Sequence, residues 1–184
     1  LHGTSALTAL TAQNTQRVMA VHPVPAKHLS AALDAVFDDF AIAAVKTGML
    51  ADARTVRCVA RELARRQPLW LIVDPVMIAT SGARLLDKNA VRVLIEVLIP
   101  LAAVLTPNLP EAEELTGIAI RDARDGERAA EKLRDFGAKA VLLKGGHGRG
   151  REVIERWFDA RGTFEIRSRK LPFGEHGTGC TVSA

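Results

Sequence analysis

Short apolar runs alternate with longer stretches of helical period along this chain, and that rhythm narrows the choice of fold more than any other feature of the sequence. Leu29, Leu33, Val36 and Phe37 fall on one helical face after Pro25, and Val56, Val59 and Leu63 repeat the pattern in the next unit. Between and beyond these lie Ala41 to Lys46, Leu69 to Asp74, Ala102 to Thr106 and Ala138 to Lys144. Each is short and apolar at successive positions, as suits a parallel strand covered on both faces. The pattern predicts an α/β chain, a doubly wound three-layer α/β/α domain with a mostly parallel central sheet. Glu152 to Phe158 and Gly162 to Ser168 follow one another without a helix and predict an antiparallel pair at one edge. Residues 4–13 fit either a strand or a helix.

At 184 residues, 48% of them hydrophobic, one core is the expectation, and residues 1–184 read as a single domain. The longest apolar stretch, 93–107, is broken by Glu96 and Pro100, which excludes a transmembrane helix there. Two cysteines make no disulfide framework and no signal sequence opens the chain, so a cytoplasmic location is expected. The 25 basic and 21 acidic side chains are interspersed, and the densest basic group, Arg167, Arg169 and Lys170, has Glu165 beside it. No basic stripe forms, tyrosine is absent, and stacking surfaces are few, so nucleic acid is not expected as a partner.

The unusual residues follow the strands. Gly48 and Met49 come after the first of these runs, Asp74 and Pro75 after the next, then Asn108, then Gly145 and Gly146. In an open parallel sheet these carboxyl ends share one rim, with ligands expected in the crevice at a switch of strand order. Asp74-Pro75 reads either as a turn opener or as a buried carboxylate that a cation must meet. Asn108 and Glu111 read either as the cap of the next helix, with Pro110 in its first turn, or as oxygen ligands that hold Mg²⁺ with nucleotide phosphates. Lys144-Gly145-Gly146-His147 offers a cation and bare backbone to a phosphate, or a glycine turn into the antiparallel pair. In His176-Gly177-Thr178-Gly179-Cys180-Thr181, converging backbone N–H groups at a helix start suit an anion, while a flexible loop with a buried, inert Cys180 is the alternative.

Six segments in order carry a family resemblance: TALTAQNT (8–15), KTGML (46–50), VDPVMIATSGARLL (73–86), LTPNLPEAEELTG (105–117), LKGGHG (143–148) and HGTGCTVSA (176–184). Together they resemble the hydroxymethylpyrimidine and phosphomethylpyrimidine kinases of thiamine biosynthesis, in the ribokinase-like superfamily. HGTGC separates that family from sugar kinases with aspartate where Cys180 stands. The resemblance implies ATP and Mg²⁺ as cofactors, a homodimer, and two successive phosphorylations of 4-amino-5-hydroxymethyl-2-methylpyrimidine. It makes Gln13 the reader of the pyrimidine's polar edge and Met49 and Val76 apolar walls. It places Asp74 and Glu111 with Mg²⁺ and the phosphates, Asn108 and Lys144 with the nucleotide, and Gly177, Thr178 and Gly179 in an anion hole, with Cys180 as catalytic base. Such kinases begin with a further strand and a glycine-rich segment ahead of TALTAQNT, so the domain is expected to be incomplete at both ends. Glu175 also replaces the usual small polar residue before His176. A vitamin B6 kinase and a non-catalytic binding module are the alternatives.

Overall fold

A computed structural model describes residues 2–14, 16–79, 82–145 and 152–169. The chain opens with a hairpin of β1 (Ala9–Gln13) and β2 (Val18–Pro23), which stands as its own two-stranded sheet. Asn14 closes its turn, because the side-chain oxygen accepts the N–H groups of Gln16 and Arg17 at 3.0 and 2.9 Å. The ambiguous residues 4–13 thus end in a strand.

Helix α1 (Ala26–Asp39) buries Leu29 and packs Leu33 and Phe37 against the core. Then come β3 (Ala44–Thr47), α2 (Ala53–Arg66), β4 (Trp70–Val73), α3 (Lys88–Val93), β5 (Val104–Leu105), α4 (Leu109–Thr116), α5 (Ala123–Asp135), β6 (Ala140–Leu143), β7 (Glu152–Asp159) and β8 (Gly162–Arg169). Aspartates start three of the helices: Asp52, Asp87 and Asp122 each accept a backbone N–H from the first turn. α3 continues through a π-turn and a 3₁₀ turn at Pro100, whose ring cannot be carried on in an α-helix. On the α1–α2 seam, the buried Glu62 carboxylate takes hydrogen bonds from Ser30, Arg61, Arg65 and Arg66. These donors, Ser30 foremost, hold it well below the usual carboxylate range.

The main sheet runs β3-β4-β5-β6-β7-β8, parallel as far as β6 and antiparallel beyond. The α/β class, the mostly parallel sheet and the antiparallel edge pair are those the sequence implies. Two expectations are corrected. Among the described residues the strands lie in chain order, so no reversal of order makes the crevice, and the loops leaving consecutive strands must shape the rim. Nor are all the parallel strands covered on two faces. β6 is buried at all four positions, but β4, next to the edge strand, buries Leu71 and Val73 while Trp70 lies exposed. Among the described residues no helix is long and apolar enough to cross a membrane.

Candidate active site at the carboxyl rim of the sheet

Backbone hydrogen bonding continues past the strand ends and fixes the rim. Asp74 N–H donates to Thr47 O (3.2 Å), Thr106 N–H to Val73 O (2.9 Å) and Lys144 N–H to Pro107 O (2.8 Å). Side chains from β3, β4 and β6 are thereby brought into register. Asp74 is 1% exposed, and its carboxylate lies between two lysines. Lys144 Nζ donates to Oδ1 at 2.8 Å, and Lys46 Nζ stands 3.4 Å from Oδ2. A carboxylate this deeply buried is tolerated because cations and hydrogen bonds replace its water. Both readings of Asp74-Pro75 are present: lysines meet the carboxylate, and Val76 N–H donates to Asp74 O at 2.9 Å in a tight turn.

Asn108 and Glu111 form a complete capping box at the start of α4: Glu111 N–H donates to Asn108 Oδ1 (2.9 Å) and Asn108 N–H to Glu111 Oε2 (2.8 Å). The cap reading is therefore correct, and it does not remove Glu111 from the rim. Burial pushes the Glu111 carboxyl up from its ordinary 4.5 to about 7, with the Asp74 charge adding to the rise. Hydrogen bonding from the Asn108 and Met77 backbone and the charge of Lys144 act in the opposite direction. Glu111 thus feels both members of the Asp74–Lys144 pair and ties α4 to the loop that carries Asp74.

This shift has a consequence for stability. Between about pH 4.5 and 7 the folded chain holds a proton on Glu111 that the unfolded chain has released, so stability falls as pH rises through that window. The cost reaches about 3 kcal/mol at its upper end. Glu111→Gln should flatten that part of the stability profile, read as urea midpoints from pH 4.5 to 8 without divalent cations. An unchanged slope in the variant would mean that Glu111 ionises normally.

Met49 and Val76 are half-buried on the loops that leave the neighbouring strands β3 and β4. Thr8 Oγ1 donates to Met49 O at 2.6 Å and ties the hairpin to the first of these loops. Gln13, at the end of β1 on that hairpin, is exposed. At Gly145 a Cβ would stand 1.8 Å from Ile154 O of β7, so the close approach of that backbone requires glycine there. Gly146, Gly177, Thr178, Gly179 and Cys180 lie outside the described residues. Sequence reasoning does not single out Lys46: it stands opposite Ile72, two residues before Asp74, and only the pairing of β3 with β4 brings the two charged side chains together.

The donor set fits a magnesium ion. Among the described residues no three acidic, histidine or cysteine side chains cluster, as a cage made only of protein would need. Two nearly buried carboxylates are present, one of them raised by burial, and beside Asp74 in register the buried Thr106 hydroxyl has no hydrogen-bond partner among the described residues. Hard oxygen donors few in number suit an ion that keeps water and shares phosphate oxygens.

The phosphomethylpyrimidine kinase family profile matches residues 1–184. The chain belongs to that family. It is 49% identical to a hydroxymethylpyrimidine/phosphomethylpyrimidine kinase of Haemophilus influenzae, over 99% of this chain and 70% of that protein. Among solved structures, the phosphomethylpyrimidine kinase of Clostridium difficile superposes with a TM-score of 0.83 at 39% identity, covering 98% of this chain and 78% of that one. A pyridoxal kinase of Bacillus subtilis, solved as an ADP complex, gives 0.88 at 29% identity, covering 100% and 70%. The ribokinase-like class implied by the sequence is the class of these kinases, and family membership implies ATP as phosphate donor.

Proposed function

We propose that this member of the phosphomethylpyrimidine kinase family transfers the γ-phosphoryl group of ATP to the hydroxymethyl oxygen of 4-amino-5-hydroxymethyl-2-methylpyrimidine, and then a second phosphoryl group to the monophosphate, in thiamine biosynthesis. The observation that carries the reading is the Lys46–Asp74–Lys144 cluster at the rim, with Asp74 and Lys144 buried, flanked by the apolar residues Met49 and Val76 on one side and by Asn108 and Glu111 on the other.

Phosphoryl transfer asks a protein for alignment and charge neutralisation more than for covalent chemistry. Lys144, with Asn108 beside it, meets the nucleotide phosphates. Mg²⁺ would be held by Asp74 and Glu111 and would neutralise charge on the phosphate chain. Gln13 reads the ring's amino group and nitrogen, and Met49 and Val76 flank the ring. Backbone N–H groups of Gly177, Thr178 and Gly179 receive the transferring group. Cys180 accepts the hydroxyl proton as the new O–P bond forms and the bond to the ADP oxygen breaks. For the second transfer the acceptor is an oxygen of the monophosphate. The reaction needs ATP, which suits a cytoplasmic site. A homodimer is part of the reading: Leu7, Leu10 and Met19 on and beside the hairpin are more than half exposed, an apolar surface that pairing would cover.

Likeness to a pyridoxal kinase keeps vitamin B6 alcohols as the rival acceptors, and Gln13 separates the two. An amide paired with polar ring atoms rejects analogues that lack them. Gln13→Leu should weaken pyrimidine binding by about 1–3 kcal/mol and leave ATP binding unchanged, measured by calorimetry. Normal pyrimidine affinity in that variant would remove Gln13 from the pocket. In direct competition the pyrimidine should outcompete pyridoxine, and the reverse order would favour the rival.

A further inference from the structure

We propose that Lys46 is the specificity residue for the second acceptor: its ammonium binds the phosphate that the substrate itself carries in the second transfer. The inference rests on the two-step reading above and adds to it which cation serves which phosphate.

The two lysines at Asp74 are not equivalent. Lys144 directly follows β6, is hydrogen-bonded to Oδ1 at 2.8 Å, and has a side chain only 9% exposed. Lys46 comes from β3, stands 3.4 Å from Oδ2 in an ion pair without a hydrogen bond, and keeps its side chain 25% exposed. Its N–H donors are therefore available to an incoming anion at little cost, whereas Lys144 is held in place.

Position along the sheet supports the same assignment. The apolar pair Met49 and Val76 lies on the loops after β3 and β4, and Lys46 and Asp74 stand at the strand ends from which those loops leave. Asn108, Glu111 and Lys144 lie beyond, after β5 and at the end of β6. Lys46 is the cation on the acceptor side.

A pocket that accepts first a neutral alcohol and then its phosphate monoester faces a physical conflict. Apolar walls cannot hold a dianion, and a lone buried cation is costly while the neutral acceptor is bound. A lysine paired loosely with an internal carboxylate resolves it. Asp74 faces Lys46 during the first step, and the acceptor phosphate takes over one of its N–H groups in the second.

The test compares the wild-type chain with Lys46→Met and Lys46→Arg. KM is measured for the alcohol and for its monophosphate at saturating ATP, and equilibrium binding of each compound is measured without nucleotide. Lys46→Met should raise KM and Kd for the monophosphate about tenfold more than for the alcohol, the scale of one charged hydrogen bond. Lys46→Arg should restore most of that difference. Equal losses for both acceptors would show that Lys46 acts only by positioning Asp74, and would overturn the proposal, as would an unchanged monophosphate Kd. If the wild-type chain turns over neither compound, the functional reading fails, and the binding comparison still decides the role of Lys46. A wild-type chain that does not bind the monophosphate overturns it outright.

Discussion

Cys180→Ala should lower turnover by about 10² to 10⁴ and leave ATP affinity nearly unchanged, since that is the range lost when a general base is removed. A primary alcohol must shed its proton as the phosphoryl group arrives, and in HGTGC the thiol follows two glycines at the position for which the resemblance implies a base. Cys180→Asp should recover part of the lost rate, because a carboxylate takes the same proton and related sugar kinases carry aspartate there. A buried packing cysteine predicts the opposite order, with alanine tolerated and aspartate destabilising the fold. Steady-state kinetics of both variants, with folding checked by circular dichroism, separate the two. Turnover like that of the wild type in Cys180→Ala removes the thiol from the mechanism.

Asp74→Asn should damage both stability and rate. Its carboxylate is almost fully buried between Lys46 and Lys144, and the substitution leaves both ammonium groups facing a neutral amide. Removing one partner from a buried ionic cluster costs about 3–5 kcal/mol. Turnover should fall by about 10² or more, because the phosphates and their counter-ion lose a preorganised charge. The double variant Asp74→Asn with Lys144→Met should regain much of the stability and none of the turnover. Thermal unfolding and kcat of the single and double variants make the check. Full turnover in Asp74→Asn would reduce the aspartate to a turn residue.

Much of this site could be read from residues alone, and the reasons are local. Asp74 ends a run of buried apolar residues, where a carboxylate is costly and so conspicuous. Asn108-Leu109-Pro110-Glu111 spells a helix start, and the capping box is what the structure contains. The cap reading holds, and the same buried glutamate lies within electrostatic reach of Asp74 and Lys144. Lys46 carries no such local sign, since its significance depends on strand register, which places β3 beside β4 and sets Lys46 opposite Ile72, two residues before Asp74. The strand β2 was hidden because Val18–Pro23 alternates weakly and pairs only locally with β1. Gly145 has two local readings in the sequence, and the structure adds the approach of Ile154 from β7, a contact between strands that leaves no room for a Cβ.

The central claim, that this chain phosphorylates a hydroxymethyl pyrimidine twice, is tested most directly by following products by mass spectrometry. Purified chain is incubated with ATP, Mg²⁺ and 4-amino-5-hydroxymethyl-2-methylpyrimidine. The monophosphate should rise and then decline as the diphosphate accumulates, with one ADP formed per phosphoryl group transferred. ADP release without a phosphorylated pyrimidine, or transfer to pyridoxine but not to the pyrimidine, would contradict it.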